Sequence, residues 1–491
     1  MARQVDLVLI HPPYHRRRGS GTIFPIGLGY LASAAENIGY KVSIIDCALV
    51  FGSLLPSKLS QLGAWLEPRL KSMNPHLGIG IGPCTTSSIR GTEAVAHVCK
   101  NVFPKIPIIY GGPLASLPGQ SRLFFNKLGA TAIVPGDGEK AICDILKILS
   151  EGSDLAHAHT VITPGKDDLM NVVEDLDSLQ FPRRLCSVDS NGYVLSVRRD
   201  LFLGKFATMV SSRGCPHRCK FCVSAHLRKG IYNRRSLENI FNEISFLQDS
   251  HINMVVFYDD TFFLKPDSLA QDAHDLATGM FNLARPLYWQ VEMRPELLAM
   301  VDKDIAAMLY AAGCRQLNIG IEKLDPSCAS LMGKNVDIDK IRRAVRNINS
   351  EAPNLRLTGT FILGGPQENQ NSILRTIELA SDLGLLFAHF YPLEVYPGTD
   401  VYRECFPNDG PLDWYEKIVS DDLPWGELLY ENDLLTRNDL LAMVNEGYKS
   451  FYTRNEWHKM ANQSLGANYS KVANVVKEWC VDRFSIKKET L

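Results

Sequence analysis

Along the first third of the chain, short continuous apolar runs alternate with stretches in which apolar residues recur every three or four positions. VDLVLIHPP (5–13) is an apolar run stopped by Pro12-Pro13, and YLASAAENIGY (30–40) then has helical spacing up to Gly39. The cycle repeats: strand KVSIID, strand LGIGIG, helix TEAVAHVCKNVF, strand IPIIYGG, a looser helical stretch, strand TAIVPGDGE and helix EKAICDILKIL. Strands that alternate with helices predict an α/β domain over residues 1–150, built on a doubly wound five-stranded parallel sheet. Sheets of this kind bind ligands at the carboxyl ends of their strands. Here those ends read HPP, Asp46, GPCTTSS, GGPLAS and PGDGE. Their glycines let a bulky ligand approach the backbone, and Thr85, Thr86, Ser87 and Ser88 offer hydroxyls. Tight turns alone would also account for the glycines.

From 151 to 199 the periodicity weakens, as in a linker. Six further strands are predicted between 200 and 400: FATMVSS, INMVVFYDD, PLYWQVEMR, RQLNIGIE, LRLTGTFILGG and FAHFYPLEVYPG, with helices between them. Ser236 is a good N-cap, and Leu237, Ile240, Phe241, Ile244 and Leu247 lay an apolar stripe behind it. Repeated units of this kind close into a (β/α)6 partial barrel with its chemistry at the strand carboxyl ends. Residues 401–491 read as a mainly helical C-terminal region with Trp414, Trp425 and Trp457, tryptophans expected in the core.

Composition adds exclusions. A formal net charge of -2 supplies no basic field for nucleic acid, and Arg16-Arg17-Arg18 is too short to change that. No apolar stretch approaches the roughly 18 to 20 residues of a membrane span, so a cytoplasmic protein is expected. Nine of the 12 cysteines are scattered singly and read as small buried hydrophobes.

The other three stand together. In SSRGCPHRCKFCVS (211–224), Cys215, Cys219 and Cys222 form C-x3-C-x2-C directly after the first strand of the second set. Chance would produce this spacing roughly 0.007 times in such a chain. Structural zinc takes four protein ligands, and His217 and His226 fall at unsuitable spacing to complete one. Three thiolates suit three irons of a 4Fe-4S cluster and leave one iron open.

With Phe221 before the last cysteine, this motif resembles the signature of the radical S-adenosylmethionine (SAM) superfamily. The resemblance implies that SAM takes the open iron and is cleaved by one electron to a 5′-deoxyadenosyl radical. It extends to about residue 400. FYDDTFF places Asp259, Asp260 and Thr261 where the family meets the methionine amino group, and Arg294 of EMRPELL where a carboxylate is faced. GCRQLNIGIEKLD places Gly320 and Glu322 at the ribose, and FILGGPQ places Gly364 and Gly365 in the family's glycine turn. Surface ion pairs and rim packing are the plain alternatives for these residues.

The tips of residues 5–150 are similar to the cobalamin-binding domain that precedes many radical SAM domains: Pro12 in PP, P-x-G-L-x-Y-L from Pro25, GGP with Gly111 and Gly112, and GDGE with Gly136, Gly138 and Glu139. No histidine stands in the Asp-x-His-x-x-Gly pattern that ligates cobalt, and His11, His15 and His76 read as ordinary loop or helix-start histidines. Cobalamin without a protein histidine on cobalt is therefore the expectation.

The resemblance implies methylation of an unactivated carbon of a small molecule, with two SAM consumed per turnover and a flavodoxin or ferredoxin as electron donor to a monomeric enzyme. Radical ring formation, ring contraction or another rearrangement without methyl transfer is the alternative from the same family, and a corrinoid sensor without catalysis the remote one. A methylthiotransferase would need a further cluster on N-terminal cysteines, whose pattern Cys47, Cys84 and Cys99 do not match.

Overall fold

The structure, a computed structural model, describes residues 4–14, 24–51, 58–166, 169–184, 205–325, 328, 332–334, 337–410, 412–420 and 429–482. His15, Arg16-Arg17-Arg18, Cys186 and Trp425 lie outside them. The chain divides into two units that interleave along the sequence. One comprises Met1–Val197, Cys222–Asn233 and Tyr396–Leu428, the other Arg198–Phe221, Arg234–Val395 and Leu429–Leu491.

The first unit is built on β1 (Val5–His11), β2 (Val42–Asp46), β3 (Pro75–Ile81), β4 (Ile108–Gly111) and β5 (Ala132–Val134). All pairs are parallel, in the order β2-β1-β3-β4-β5. Leu7, Val8, Leu9 and Ile10 are all buried, as expected of a strand covered on both faces, which is why β1 reads as an unbroken apolar run. Leu28, Ala32 and Ala35 of helix Ile26–Asn37 and Ile142 and Leu146 of helix Glu139–Ser150 pack with Leu7 and Leu9 in one core. The strand order reverses at β1/β3, and an open α/β sheet forms its ligand crevice at such a switch point. The tips that meet there are His11-Pro12-Pro13 and the segment after Ile81.

The second unit holds β6 (Phe206–Met209), β7 (Met254–Phe257), β8 (Tyr288–Met293), β9 (Cys314–Glu322), β10 (Arg356–Leu363) and β11 (Phe387–Pro392). They form one parallel sheet in sequential order, with β6 and β11 at its edges. Helix Leu237–Asp249 begins as the sequence suggests, the Ser236 hydroxyl oxygen accepting from Asn239 N at 3.1 Å, and buries Ile240, Ile244 and Leu247. Helix Arg437–Tyr452 covers edge strand β11, with the Tyr452 hydroxyl donating to Ala388 O (2.8 Å) and the Tyr448 hydroxyl accepting from Phe390 N (3.2 Å). Unpaired edge groups are thereby satisfied. Trp457 and, in the first unit, Trp414 are buried and hydrogen-bonded, as core tryptophans are. Among the described residues no helix is long and apolar enough to cross a membrane.

Candidate active site

The cysteine loop leaves β6 through Ser211 and Ser212, and both are gripped by Asp259 at the end of β7. One oxygen of its carboxylate accepts from Ser211 N and Ser212 N, the other from the Ser211 hydroxyl, all at 2.7 Å. Burial outweighs these bonds and leaves the Asp259 carboxyl raised to about 6. In the structure this carboxylate is bonded to the stem of the loop. Thr261 is likewise buried and donates to Phe263 O at 2.9 Å. Asp260, next in sequence, is exposed, and its charge acts on Cys215.

Gly214 has φ +88°, a left-handed turn that a side chain would strain, and the loop then presents Cys215 half-buried and Cys219 buried. Burial pushes the Cys215 thiol up, a backbone hydrogen bond at His217 opposes that, Asp260 adds to it and Arg294 works against it. Cys222 stands at the N-cap position of the short helix Val223–Leu227, and its carbonyl lies 2.8 Å from His226 Nδ1. From the end of β8, Arg294 Nη1 donates to Cys219 Sγ at 3.5 Å and Nη2 to Glu296 Oε1 at 2.8 Å. No described cysteine is in a disulfide. Among the described residues no three His, Cys, Asp or Glu side chains already converge as a metal cage. The fit to a cluster rests on the donor set itself, three thiols on one glycine-turned loop with a guanidinium donating to one sulfur.

Glu322 ends β9 at φ +65°, an uncommon conformation for a residue with a side chain. Its Oε1 pairs with Lys334 Nζ at 3.0 Å, and the same ammonium donates to Gly320 O at 2.6 Å. A Cβ on Gly320 would lie 2.8 Å from Glu322 Oε1, so glycine leaves room for the pair. Phe221 is 5.9 Å, ring centroid to Nζ, from the same lysine. Gly364 and Gly365 turn at φ +80° and +149°, and Gly364 O accepts from buried Lys323 at 2.7 Å while Lys323 pairs with buried Glu368.

Sequence reasoning passed over a polar face of the second sheet. Leu317, Ile319 and Ile321 of β9 are fully buried, whereas the alternate positions carry Gln316, Asn318 and Gly320. In register with Asn318 are Glu292 on β8 and Thr358 on β10. Gln316 donates to Asn318 Oδ1 (2.7 Å) and Asn318 to Glu292 Oε1 (2.9 Å). Burial, with Glu322 adding its charge, raises the Glu292 carboxyl to about 7. Buried Gln290 Oε1 and Thr358 Oγ1 have no partner. The signal was present as Gln290 and Glu292 alternating with Trp289, Val291 and Met293 in β8.

In the first unit the tips are stitched to one another. Thr85 and Ser88 exchange a capping box, Thr86 and Ser87 are buried, and the Thr85 and Ser87 hydroxyls lie 3.1 Å apart. Cys84 N donates to Gly111 O (2.8 Å), and a Cβ on Gly112 (φ +113°) would sit 2.4 Å from Cys84 N. Gly136 N donates to the Ser116 hydroxyl (2.9 Å), Gly138 abuts Leu31, and Glu139 is buried in the first helical turn. Arg228 forks onto Asp137 with two 2.8 Å bonds. A cavity of about 80 Å³ lies at this end, lined by Ser116, Leu117, Ser121, Met170 and His226 among others. His11, the last residue of β1, is buried, its Nδ1 2.9 Å from Asp46 and its Nε2 3.3 Å from the Tyr14 hydroxyl. His76 sits at the amino end of β3, away from the tips, against Val5 O and Asp6.

Residues 209–380 match the family model of the radical SAM superfamily, a span that contains the cysteine loop, Asp260, Arg294 and Glu322. The chain carries a radical SAM domain. Beyond that domain, it is 25% identical to an uncharacterized methyltransferase of Pyrococcus horikoshii over 92% of this chain and 93% of that one. The fold is shared with the radical SAM methyltransferase TsrM of Kitasatospora setae, solved with cobalamin and a [4Fe-4S] cluster bound (TM-score 0.61, 19% identity, 83% of this chain and 78% of that one). It is also shared with the cobalamin-dependent radical SAM enzyme OxsB with aqua-cobalamin bound (TM-score 0.66, 15% identity, 97% and 72%). The shared fold spans both the radical SAM domain and the switch-point sheet before it.

Proposed function

We propose that this chain is a cobalamin-dependent radical SAM methyltransferase that methylates an unactivated carbon of a small molecule. The observation that carries the reading is the C-x3-C-x2-C loop of a radical SAM domain, in one chain with a 2-1-3-4-5 parallel sheet whose order reverses at β1/β3. Methyltransferase relatives and solved neighbours with cobalamin support methyl transfer over rearrangement. When bound, the cluster and cobalamin supply one-electron cleavage of SAM and carriage of its methyl group.

The protein's own part is positioning. Cys215, Cys219 and Cys222 hold the cluster, and Asp259 holds the stem of their loop. Asp260 is exposed to receive the ammonium of SAM, and Glu322 its ribose hydroxyls, with Lys334 as the present partner of that carboxylate. Glu292, Asn318, Gln290 and Thr358 offer acceptors and donors to a polar substrate on the inner face of the sheet. Pro12, Thr85–Ser87, Gly111, Gly112, Gly136 and Gly138 frame the cobalamin crevice.

The engagement of His11 by Asp46 and Tyr14 supports cobalt without a protein histidine. Protein reconstituted anaerobically with cobalamin is expected to retain one equivalent, and paramagnetic resonance of its cobalt(II) form to lack the splitting of an axial histidine nitrogen. Such a splitting would overturn the histidine-free site. Failure to retain cobalamin would overturn the assignment of the first unit.

A further inference from the structure

Arg294 was expected to face a carboxylate, and in the structure its guanidinium meets that of Glu296 and the Cys219 sulfur. Nη1 donates to Cys219 Sγ at 3.5 Å, and Nη2 is held by Glu296 Oε1 at 2.8 Å, so the two-pronged edge that grips a carboxylate is divided between a sulfur and a glutamate. Buried Nε has no partner, nor has Glu296 Oε2. The side chain is only 13% exposed, so its charge acts through little water. The cation thus sits against the middle cysteine of the loop, and its carboxylate partner stands beside it.

We propose that Arg294 and Glu296 set the reduction potential of the iron-sulfur cluster, Arg294 raising it through its hydrogen bond to the Cys219 sulfur and Glu296 moderating that effect. The inference rests on the radical SAM reading. On one-electron reduction the cluster gains a unit of negative charge from an external donor, and no bond in the protein is made or broken. A guanidinium donating to a ligating sulfur stabilises the more negative state, so the reduced form becomes easier to reach, whereas a nearby carboxylate opposes this. The consequence is opposite signs for the two residues. Removing the cation lowers the potential and removing the carboxylate raises it.

The test is a dithionite-poised redox titration of the reconstituted cluster, followed by paramagnetic resonance, for wild type, Arg294→Gln, Arg294→Lys and Glu296→Gln, with SAM affinity measured in parallel. Arg294→Gln is expected to shift the reduction equilibrium about tenfold toward the oxidised form, about 59 mV for a one-electron couple. Arg294→Lys should shift it less and Glu296→Gln should shift it the other way, all with SAM affinity within about twofold of wild type. A lowered SAM affinity in Arg294→Gln with all potentials unmoved would overturn the proposal and return Arg294 to the carboxylate. Should Arg294→Gln fail to hold a cluster, the upward shift in Glu296→Gln still decides the matter. A wild-type protein that binds no cluster would sink the radical SAM reading itself, a separate outcome.

Discussion

Cys219→Ser protein, reconstituted anaerobically beside wild type, is expected to lose its oxygen-sensitive 4Fe-4S cluster and to form 5′-deoxyadenosine at a rate lower by more than about 100-fold. Cys219 is the buried member of the loop and receives a charged hydrogen bond from Arg294. Serine keeps the shape but offers an alcohol in place of the soft thiolate that iron-sulfur clusters require. It also leaves the Asp259 anchor untouched, so the fold should persist while the cluster does not. Iron and acid-labile sulfide analysis with paramagnetic resonance reads the outcome directly. A Cys215, Cys219 and Cys222 triple serine variant that still held a cluster would refute the assignment.

Gly91→Ala is the second change with a large expected effect, and it acts on the other cofactor. Gly91 lies in helix Ile89–Val102, where alanine would ordinarily gain about 1 kcal/mol of helix propensity. Here a Cβ would stand 1.9 Å from Pro13 O and 2.9 Å from Pro13 C. The obstacle is backbone at the tip of β1, so no side-chain rotation relieves it. Overpacking of this kind costs about 3 kcal/mol, which outweighs the propensity gain, leaves a net loss of about 2 kcal/mol and lowers the melting temperature by roughly 4 to 8 °C. The displaced tip belongs to the β1/β3 switch point, so cobalamin retained on gel filtration should fall as well. Gly63→Ala, in helix Leu59–Met73 where the added carbon would make only an ordinary 3.9 Å contact with Val98 Cγ2, serves as the control and should leave cobalamin retention unchanged and melting no lower. Unaltered melting and cobalamin retention in Gly91→Ala would contradict the packing described for the tip.

The two sheets were legible because parallel strands covered on both faces leave continuous apolar runs such as VDLVLI, with helices marked by caps such as Ser236 between them. The cysteine loop was legible because its ligands are local in sequence. What depended on side chains meeting across the fold was not. Asp259 and Asp260 are indistinguishable as letters, yet one is buried with three bonds to the loop stem and the other is exposed. Arg294 reads as a carboxylate clamp until Glu296, two residues on, is seen to hold its outer nitrogen. Glu322 draws its partner Lys334 from a segment whose sequence gives no sign of returning to β9. The inclusion of 222–233 and 396–428 in the first unit is a matter of long-range contacts that periodicity does not record.

The central claim is that one chain joins radical generation from SAM to methyl transfer. It is tested most directly by incubating the holo-protein, reduced and anaerobic, with methyl-deuterated SAM and its substrate, and by counting 5′-deoxyadenosine, S-adenosylhomocysteine and label in the product. The account predicts that the two nucleosides accumulate together in a ratio near one and that the product carries an intact trideuteromethyl group. Deoxyadenosine formed with neither S-adenosylhomocysteine nor a labelled methyl group would contradict it.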